Sequence, residues 1–281
     1  MEKICAVLVS RNRRSRIEEV VNSLVNQTFQ FAKIIIVDND STDGTREYLE
    51  GFCNDKIHVI CLSHNAGHGA SIAVALGQID LTSYDYIFFV EDDSAIGNDL
   101  VNQLLRVARC NPELGLLGSE GSIYSLGRKL SVRNVKKLTR VNFVLFSGLL
   151  AKTQVFKTIG SPRTNFFMMC DDLEFCMRAV RAGVNCGVID LNLHEALHYG
   201  SSNSSRSGIW RSYYQSRNRI LILRYHFSLH NLLDCIIWQL KFLYSAAINP
   251  FAFDRIKLRL LGIFHGIIGR DGFTVDPRYF K

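Results

Sequence analysis

Apolar positions in the first 120 residues follow two alternating patterns. Continuous runs of β-branched, aromatic and aliphatic residues at 4–10, 33–37, 57–62, 84–90 and 114–118 predict strands. The unbroken run at 33–37 reads as buried on both faces. Between the strands come stretches of helical period. The first starts at Ser15, where Ser15-x-x-Glu18 has capping-box spacing and Ile17, Val20, Val21, Leu24 and Val25 form one apolar stripe. Further helices are predicted around 45–52, over 69–79 and, capped by Asn98, over 99–110. Strand and helix in regular alternation imply an α/β fold, a mostly parallel, doubly wound sheet with helices on both faces.

After residue 120 the alternation loosens. Residues 121–140 are polar and basic, as in a long loop or a pair of weak strands, while 141–151 are apolar and strand-like. Residues 171–182 predict a helix with acids in its first turn, Arg178 and Arg181 in its last, and Gly183 as its C-cap. Beyond a Ser/Gly-rich boundary at 200–208 the pattern is helical, at 208–226, 229–248 and 255–268. The chain thus divides into a catalytic-type α/β domain, 1–205, and a helical C-terminal region, 206–281.

Charge follows the same division. Residues 1–200 hold 21 Lys and Arg against 22 Asp and Glu, whereas residues 201–281 hold 12 against 4. The C-terminal +8 therefore accounts for the whole +7 of the 281-residue chain. Its basic residues are interleaved with aromatics: Lys241, Arg255, Lys257 and Arg259 sit near Trp238, Phe242, Phe251 and Phe264. That mixture suits a helix pair lying on an anionic membrane surface and argues against nucleic acid. A packing or homo-oligomer element is the alternative. The uncharged run at 242–253 contains Pro250 and is shorter than the ~20 residues that span a bilayer. The N-terminus lacks the apolar core of a signal peptide, and the eight cysteines include no Cys-x-x-Cys pair. Both point to a reducing cytoplasm.

The chemistry concentrates where the predicted strands end. Glu91, Asp92 and Asp93 follow Phe88-Phe89-Val90 directly. Three adjacent carboxylates cannot be buried unpaired, so they mark the carboxyl end of a strand, where open α/β sheets bind ligands. Hard oxygens there suit Mg²⁺ or Mn²⁺, and such an ion would hold a diphosphate. Asp38 ends the second strand, where its carboxylate can accept from a uracil or thymine ring N–H or a ribose hydroxyl. Ser10 and Arg11 end the first strand beside the same crevice. In Asn65-x-Gly67-x-Gly69 the glycines allow the backbone to approach a ligand closely.

Together these segments resemble a known family. Val37-Asp38-Asn39-Asp40-Ser41-Thr42-Asp43-Gly44-Thr45 is similar to the nucleotide-sugar signature of the family 2 glycosyltransferases, which are inverting enzymes of the GT-A fold. Asn65-x-Gly67-x-Gly69, Glu91-Asp92-Asp93 and Asp171-Asp172-Leu173-Glu174-Phe175-Cys176-x-Arg178 agree in order and spacing. Tyr213-Tyr214-x-x-Arg217-Asn218 resembles the rhamnosyl- and galactofuranosyltransferase-like branch, so that the resemblance covers residues 4–225.

The resemblance implies a set of roles. Ser10, Arg11, Asp38, Asn39, Asn65, Gly67 and Asp92 would bind the nucleotide sugar. Asp93, Glu91 and His198 would hold Mn²⁺ or Mg²⁺, with His194 as an alternative to His198. Asp172 would be the catalytic base and Asp171 would orient the acceptor. Trp210, Tyr213, Tyr214 and Arg217 would cover the donor or hold a phosphate. The implied activity is transfer of a rhamnose- or galactofuranose-like sugar from a dTDP- or UDP-sugar. The implied acceptor is a glycan or polyprenyl-linked glycan at the cytoplasmic face of the membrane. Two alternatives compete. A sugar nucleotidyltransferase needs a Gly-rich triphosphate loop, which Ser10-Arg11-Asn12-Arg13-Arg14 does not provide. A non-enzymatic receiver-like or nucleic-acid-binding protein leaves the second acid cluster at 171–174 without a role.

Overall fold

Four parallel strands build the first half of the central sheet in this computed structural model, which describes residues 2–52, 54–132, 137–196 and 208–280. β1 (Ile4–Ser10) lies between β2 (Lys33–Asp38) and β4 (Tyr86–Glu91), and β3 (Ile57–Cys61) pairs outside β2. Every residue of β1 is buried, as an apolar strand covered on both faces requires. The helices α1 (Ile17–Val25), α2 (Thr45–Glu50) and α3 (His68–Gly77) connect these strands. Short β5 (Ser94–Ile96) follows β4 and pairs with β13 (His194–Ala196); α4 (Leu100–Cys110) then leads to β6 (Leu114–Gly118).

Two local expectations fail at helix starts. Ser15 does not cap α1; the cap position is Arg16, and the Arg13 carbonyl accepts from both Arg16 and Ile17 N–H at 2.8 Å. Asp99 rather than Asn98 precedes α4, and its carboxylate accepts from the side chains of Thr28, Asn102 and Gln103.

The second half of the sheet departs from simple alternation. β11 (Leu149–Lys152) inserts between β4 and β6, antiparallel to both. β12 (Asn185–Val188) runs parallel to β6, and β9 (Thr139–Val141) closes the edge, giving the order β3-β2-β1-β4-β11-β6-β12-β9. The polar stretch after residue 120 is a hairpin of β7 (Gly121–Ser125) and β8 (Arg128–Val132), joined by β10 (Phe143–Val144). Leu126 and Gly127 both take positive φ in its two-residue turn, which matches the twist of a tight hairpin. α5 (Thr153–Ile159) and α6 (Asp171–Arg181) pack on the sheet, and α7 (Arg211–Tyr225), α8 (Leu229–Ile248) and α9 (Ala252–Ile268) complete the chain.

α7 is a buried beam rather than the start of an appendage. A Cβ at Gly262 of α9 would lie 2.4 Å from the Tyr213 carbonyl oxygen, and one at Gly266 would lie 2.6 Å from the Ile220 Cβ. Glycine at both positions lets α9 seat directly on α7. This packing changes the charge picture. Arg255 and Arg259 are buried, the first donating to the Pro250 carbonyl and the second lying 4.5 Å over the Phe242 ring. Lys241 reaches the Gly127 carbonyl. The outer face is instead apolar, with Leu229, Leu233, Leu240 and Tyr244 of α8 and Phe253 and Phe264 of α9 exposed. Among the described residues no helix is long and apolar enough to cross a membrane.

Candidate active site

Strands β1, β2 and β4 end nearly level, because Ser10 pairs with Asp38 and Val9 with Glu91. Asp38 is fully buried there. Its Oδ2 accepts from Arg46 Nε at 3.0 Å and Ser41 N at 3.2 Å, while its Oδ1 has no partner among the described residues. A buried acceptor left unmatched costs about 1–3 kcal/mol, so this pocket lacks one donor. Asn39 and Asn65 are placed otherwise than expected of ligand-binding residues. Asn39 Nδ2 donates to Asn65 Oδ1 at 3.0 Å, and its Oδ1 accepts from Ala66 N. Their amides brace two neighbouring loops. Asp92 is a brace as well, accepting from Arg11 N at 2.8 Å and Arg13 Nε at 3.2 Å.

The glycines of the third segment permit close backbone packing. A Cβ at Gly67 would lie 2.1 Å from the Phe167 carbonyl oxygen, at a φ of +90°. A Cβ at Gly69 would lie 2.9 Å from the Arg163 carbonyl oxygen. The N-terminus of α3 is thereby pressed against the turn that leads into α6.

That contact delivers His68 into the crevice. Its Nδ1 lies 2.7 Å from Asp171 Oδ2 and its Nε2 3.7 Å from Glu91 Oε1, so one imidazole joins the two acid clusters. Burial opposes its charge, but the charge and hydrogen bond of Asp171, followed by Glu91 and Asp172, raise it to about 10. Burial pushes Glu91 up to about 7, with Asp93, Asp172 and Asp171 adding to the push and His68 opposing it. Burial and then the Asp171 charge lift Asp172 likewise, to about 7. His68→Phe should lower turnover by about 10- to 100-fold, because the carboxylates then repel unrelieved. Wild-type kcat in that variant would remove the imidazole from the site.

Asp171, Glu91 and Asp172 share this one imidazolium while Asp93 adds its charge beside Glu91, and the surplus negative charge on hard oxygens fits a divalent cation. Glu91 keeps 36% of its side chain open to solvent, so a ligand can reach it. Among the described residues no three His, Cys, Asp or Glu side chains are gathered as a complete ion cage. His198 lies outside the described residues; the backbone of His194 pairs with Ile96.

The turn before α6 is strained, with Phe167, Met169 and Cys170 all at positive φ. α7 holds it in place. Asn218 Nδ2 donates to the carbonyls of Phe166, Met168 and Met169 at 2.7–3.1 Å. Arg217 is fully buried and donates to the carbonyls of Phe166 and Gly272, to Thr274 Oγ1 and to Asn218 Oδ1. Tyr213 and Tyr214 are fully buried, and Trp210 is 7% exposed. Tyr213 bonds His265, and the Tyr214 hydroxyl accepts from Thr274 N and Val275 N. The expected donor-covering or phosphate-binding role of Tyr213, Tyr214 and Arg217 therefore gives way to a clamp on the acid-bearing turn. Their i, i+4 spacing marks one helix face, and that face turns inward.

A neighbour of this motif, Arg211, lies 5.6 Å over the Trp210 ring and feels charges from the crevice. Arg211 is lowered by burial and then by repulsion from Arg13, while Asp93 attracts it. A cation opening α7 opposes the helix dipole, and that was the available sign that Arg211 serves something else. His68 carried a weaker mark, a histidine between two glycines of a recognised segment.

Known proteins resemble this chain in sequence and fold. The family model for glycosyl transferase family 2 matches residues 5–149, just over half of the chain. The chain is 24% identical to the dTDP-rhamnosyl transferase RfbF of Shigella flexneri, over 79% of this chain and 80% of that protein. It is 23% identical to the low-salt glycan biosynthesis hexosyltransferase Agl10 of Haloferax volcanii, over 91% and 89%. With the galactofuranosyltransferase GlfT1 of Mycolicibacterium smegmatis it shares 24% over 66% and 68%. The crystal structure of S. aureus TarS 1–349 in complex with UDP matches with a TM-score of 0.56 at 18% identity, covering 95% of this chain and 92% of that one. That likeness shows the GT-A fold. Fold, strand-end acids and family model agree, and the chain belongs to glycosyltransferase family 2.

Proposed function

We propose that this enzyme inverts configuration as it transfers a rhamnose- or galactofuranose-type sugar from a dTDP- or UDP-sugar to a glycan or lipid-linked glycan. The observation that carries the reading is the pair of acid clusters facing across one crevice, Glu91 and Asp93 at the strand end and Asp171 and Asp172 at the start of α6. The names of the rhamnosyl and galactofuranosyl relatives support the sugar class.

The residues divide the work. The unmatched Asp38 Oδ1 accepts the ring N–H of uracil or thymine. Arg13 and Arg211 stand where a diphosphate needs positive charge. Glu91 and Asp93 would hold Mg²⁺ or Mn²⁺, which when bound neutralises charge on the departing diphosphate. Asp172 takes the proton of the acceptor hydroxyl as its oxygen attacks from the face opposite the leaving group. Asp171, fixed by His68, orients that acceptor.

Thermal unfolding with dTDP-rhamnose and UDP-galactofuranose, with and without Mn²⁺, tests this. A ligand at 100 times its Kd stabilises by ~2.7 kcal/mol. One donor should raise Tm, chelation should weaken the effect, and Asp93→Ala should abolish the metal's contribution while keeping the unliganded Tm. No shift with any nucleotide sugar would sink the reading.

We infer further that α8 and α9 rest on an anionic membrane surface. Their exposed residues are largely apolar, with Lys241 and Lys257 exposed among them, while Arg255 and Arg259 are buried. The full chain should co-sediment with anionic liposomes, and Phe253→Glu with Phe264→Glu should release it. A chain that stays in solution at low salt while self-associating would make this face a homo-oligomer contact.

A further inference from the structure

Between α6, the β7–β8 hairpin and the α7–α8 corner lies a cavity of about 310 Å³ that the chemistry above does not use. One wall is aliphatic, made by Leu173, Met177 and Val180 of α6; the other carries Tyr124, Arg219 and Asp234. Its size stands at the lower end of ligand sites, which run from about 300 Å³ upward.

Arg219 and Asp234 give the polar wall a fixed arrangement. The residue is 8% exposed, and its Nε has no hydrogen-bond partner among the described residues. Its guanidinium is fixed 4.3 Å over the Trp238 ring and 5.5 Å from that of Tyr124. One NH group lies 3.4 Å from Asp234 Oδ2, and Asp234 Oδ1 accepts from Gly127 N at 2.6 Å. The guanidinium is thus held rigidly beside the cavity, with its Nε shielded from solvent.

The cavity adjoins the first turn of α6, which carries Asp172. Leu173 follows Asp172 directly, and the Tyr124 hydroxyl feels the charges of both Arg219 and Asp172. Its chemistry narrows the occupant. Asp234 faces Arg219, and Arg181, which also lines the cavity, lies 2.7 Å from His226 Nδ1, so hydroxyls that both donate and accept suit this mixed wall. A lipid tail would set an apolar chain against the charged Arg219, Asp234 and Arg181 side chains. A sugar ring offers an apolar C–H face for Tyr124 and the α6 wall, and hydroxyls for Arg219 and Asp234.

We propose that this cavity is an acceptor subsite, taking a sugar ring of an oligosaccharide acceptor one unit away from the ring whose hydroxyl reacts. The proposal rests on the transferase reading above. Its test uses a panel of p-nitrophenyl mono- and disaccharides as acceptors for the full chain. Val180, 41% exposed at the mouth, is replaced in Val180→Trp to plug the cavity, and Leu223→Trp plugs it from α7. Disaccharides should show a KM at least tenfold below that of monosaccharides in the wild type, and either plug should erase that advantage. Donor-induced stabilisation and slow release of nucleoside diphosphate without acceptor should not change in the plugged variants. Plugged variants that keep the disaccharide advantage overturn the subsite, as does a wild type without one. A wild type that neither binds nor hydrolyses any nucleotide sugar defeats the transferase reading itself, and the subsite with it.

Discussion

Replacing Asp172 by Asn leaves the crevice its shape and removes its proton acceptor, and turnover should fall by about 10²–10⁴-fold. Donor-induced stabilisation should persist, since Asp172 stands on α6 and not at the strand ends proposed to take the nucleotide. The pH profile supplies an independent check. Burial and Asp171 raise the Asp172 carboxyl to about 7, so below that pH it holds a proton and cannot act as a base. Wild-type kcat/KM should therefore climb as pH rises through about 7 and level off above it. Glu91 is raised into the same range, but a bound cation draws it down, so with metal present the limb belongs to Asp172. The residual activity of Asp172→Asn should lack this limb. Near-normal turnover in the variant would move the base to Asp171.

Arg217→Met should cost about 3–5 kcal/mol of stability, a large share of the 5–15 kcal/mol typical of a folded domain. Methionine keeps much of the volume but offers no donor to Phe166 O, Gly272 O, Thr274 Oγ1 or Asn218 Oδ1. Buried acceptors without partners cost about 1–3 kcal/mol each, and partial repacking recovers some of that. The urea midpoint should drop with an unchanged m-value. Turnover should fall too, because the strained turn that aims Asp171 and Asp172 loses its brace. A phosphate-binding Arg217 would behave in the opposite way, with weakened donor binding and unaltered stability.

The parts of the enzyme that could be read along the chain are those where burial leaves little choice. Continuous apolar runs such as 33–37 become central strands because both faces are covered, and the acids at 91–93 sit at a strand end because carboxylates resist burial. Pairing direction carries no such local mark. The run at 141–151 looks like any buried strand, and its β11 portion enters antiparallel between β4 and β6 for reasons of tertiary packing. Capping failed at Ser15 for a related reason, since spacing allows a cap but backbone angles decide it. The Tyr213–Arg217 face was visible as a periodicity, but whether it met ligand or protein depended on α9 and on residues 166–169. His68 was hidden most completely. Its function arises from partners at positions 91 and 171, far apart along the chain and joined only by the fold.

The close fit of Gly67 against Phe167 has a genetic consequence. The atom that would meet a side chain at position 67 is a main-chain oxygen, and every residue type at 167 carries the same one. A loss-of-function substitution at 67 therefore should find no revertant at 167.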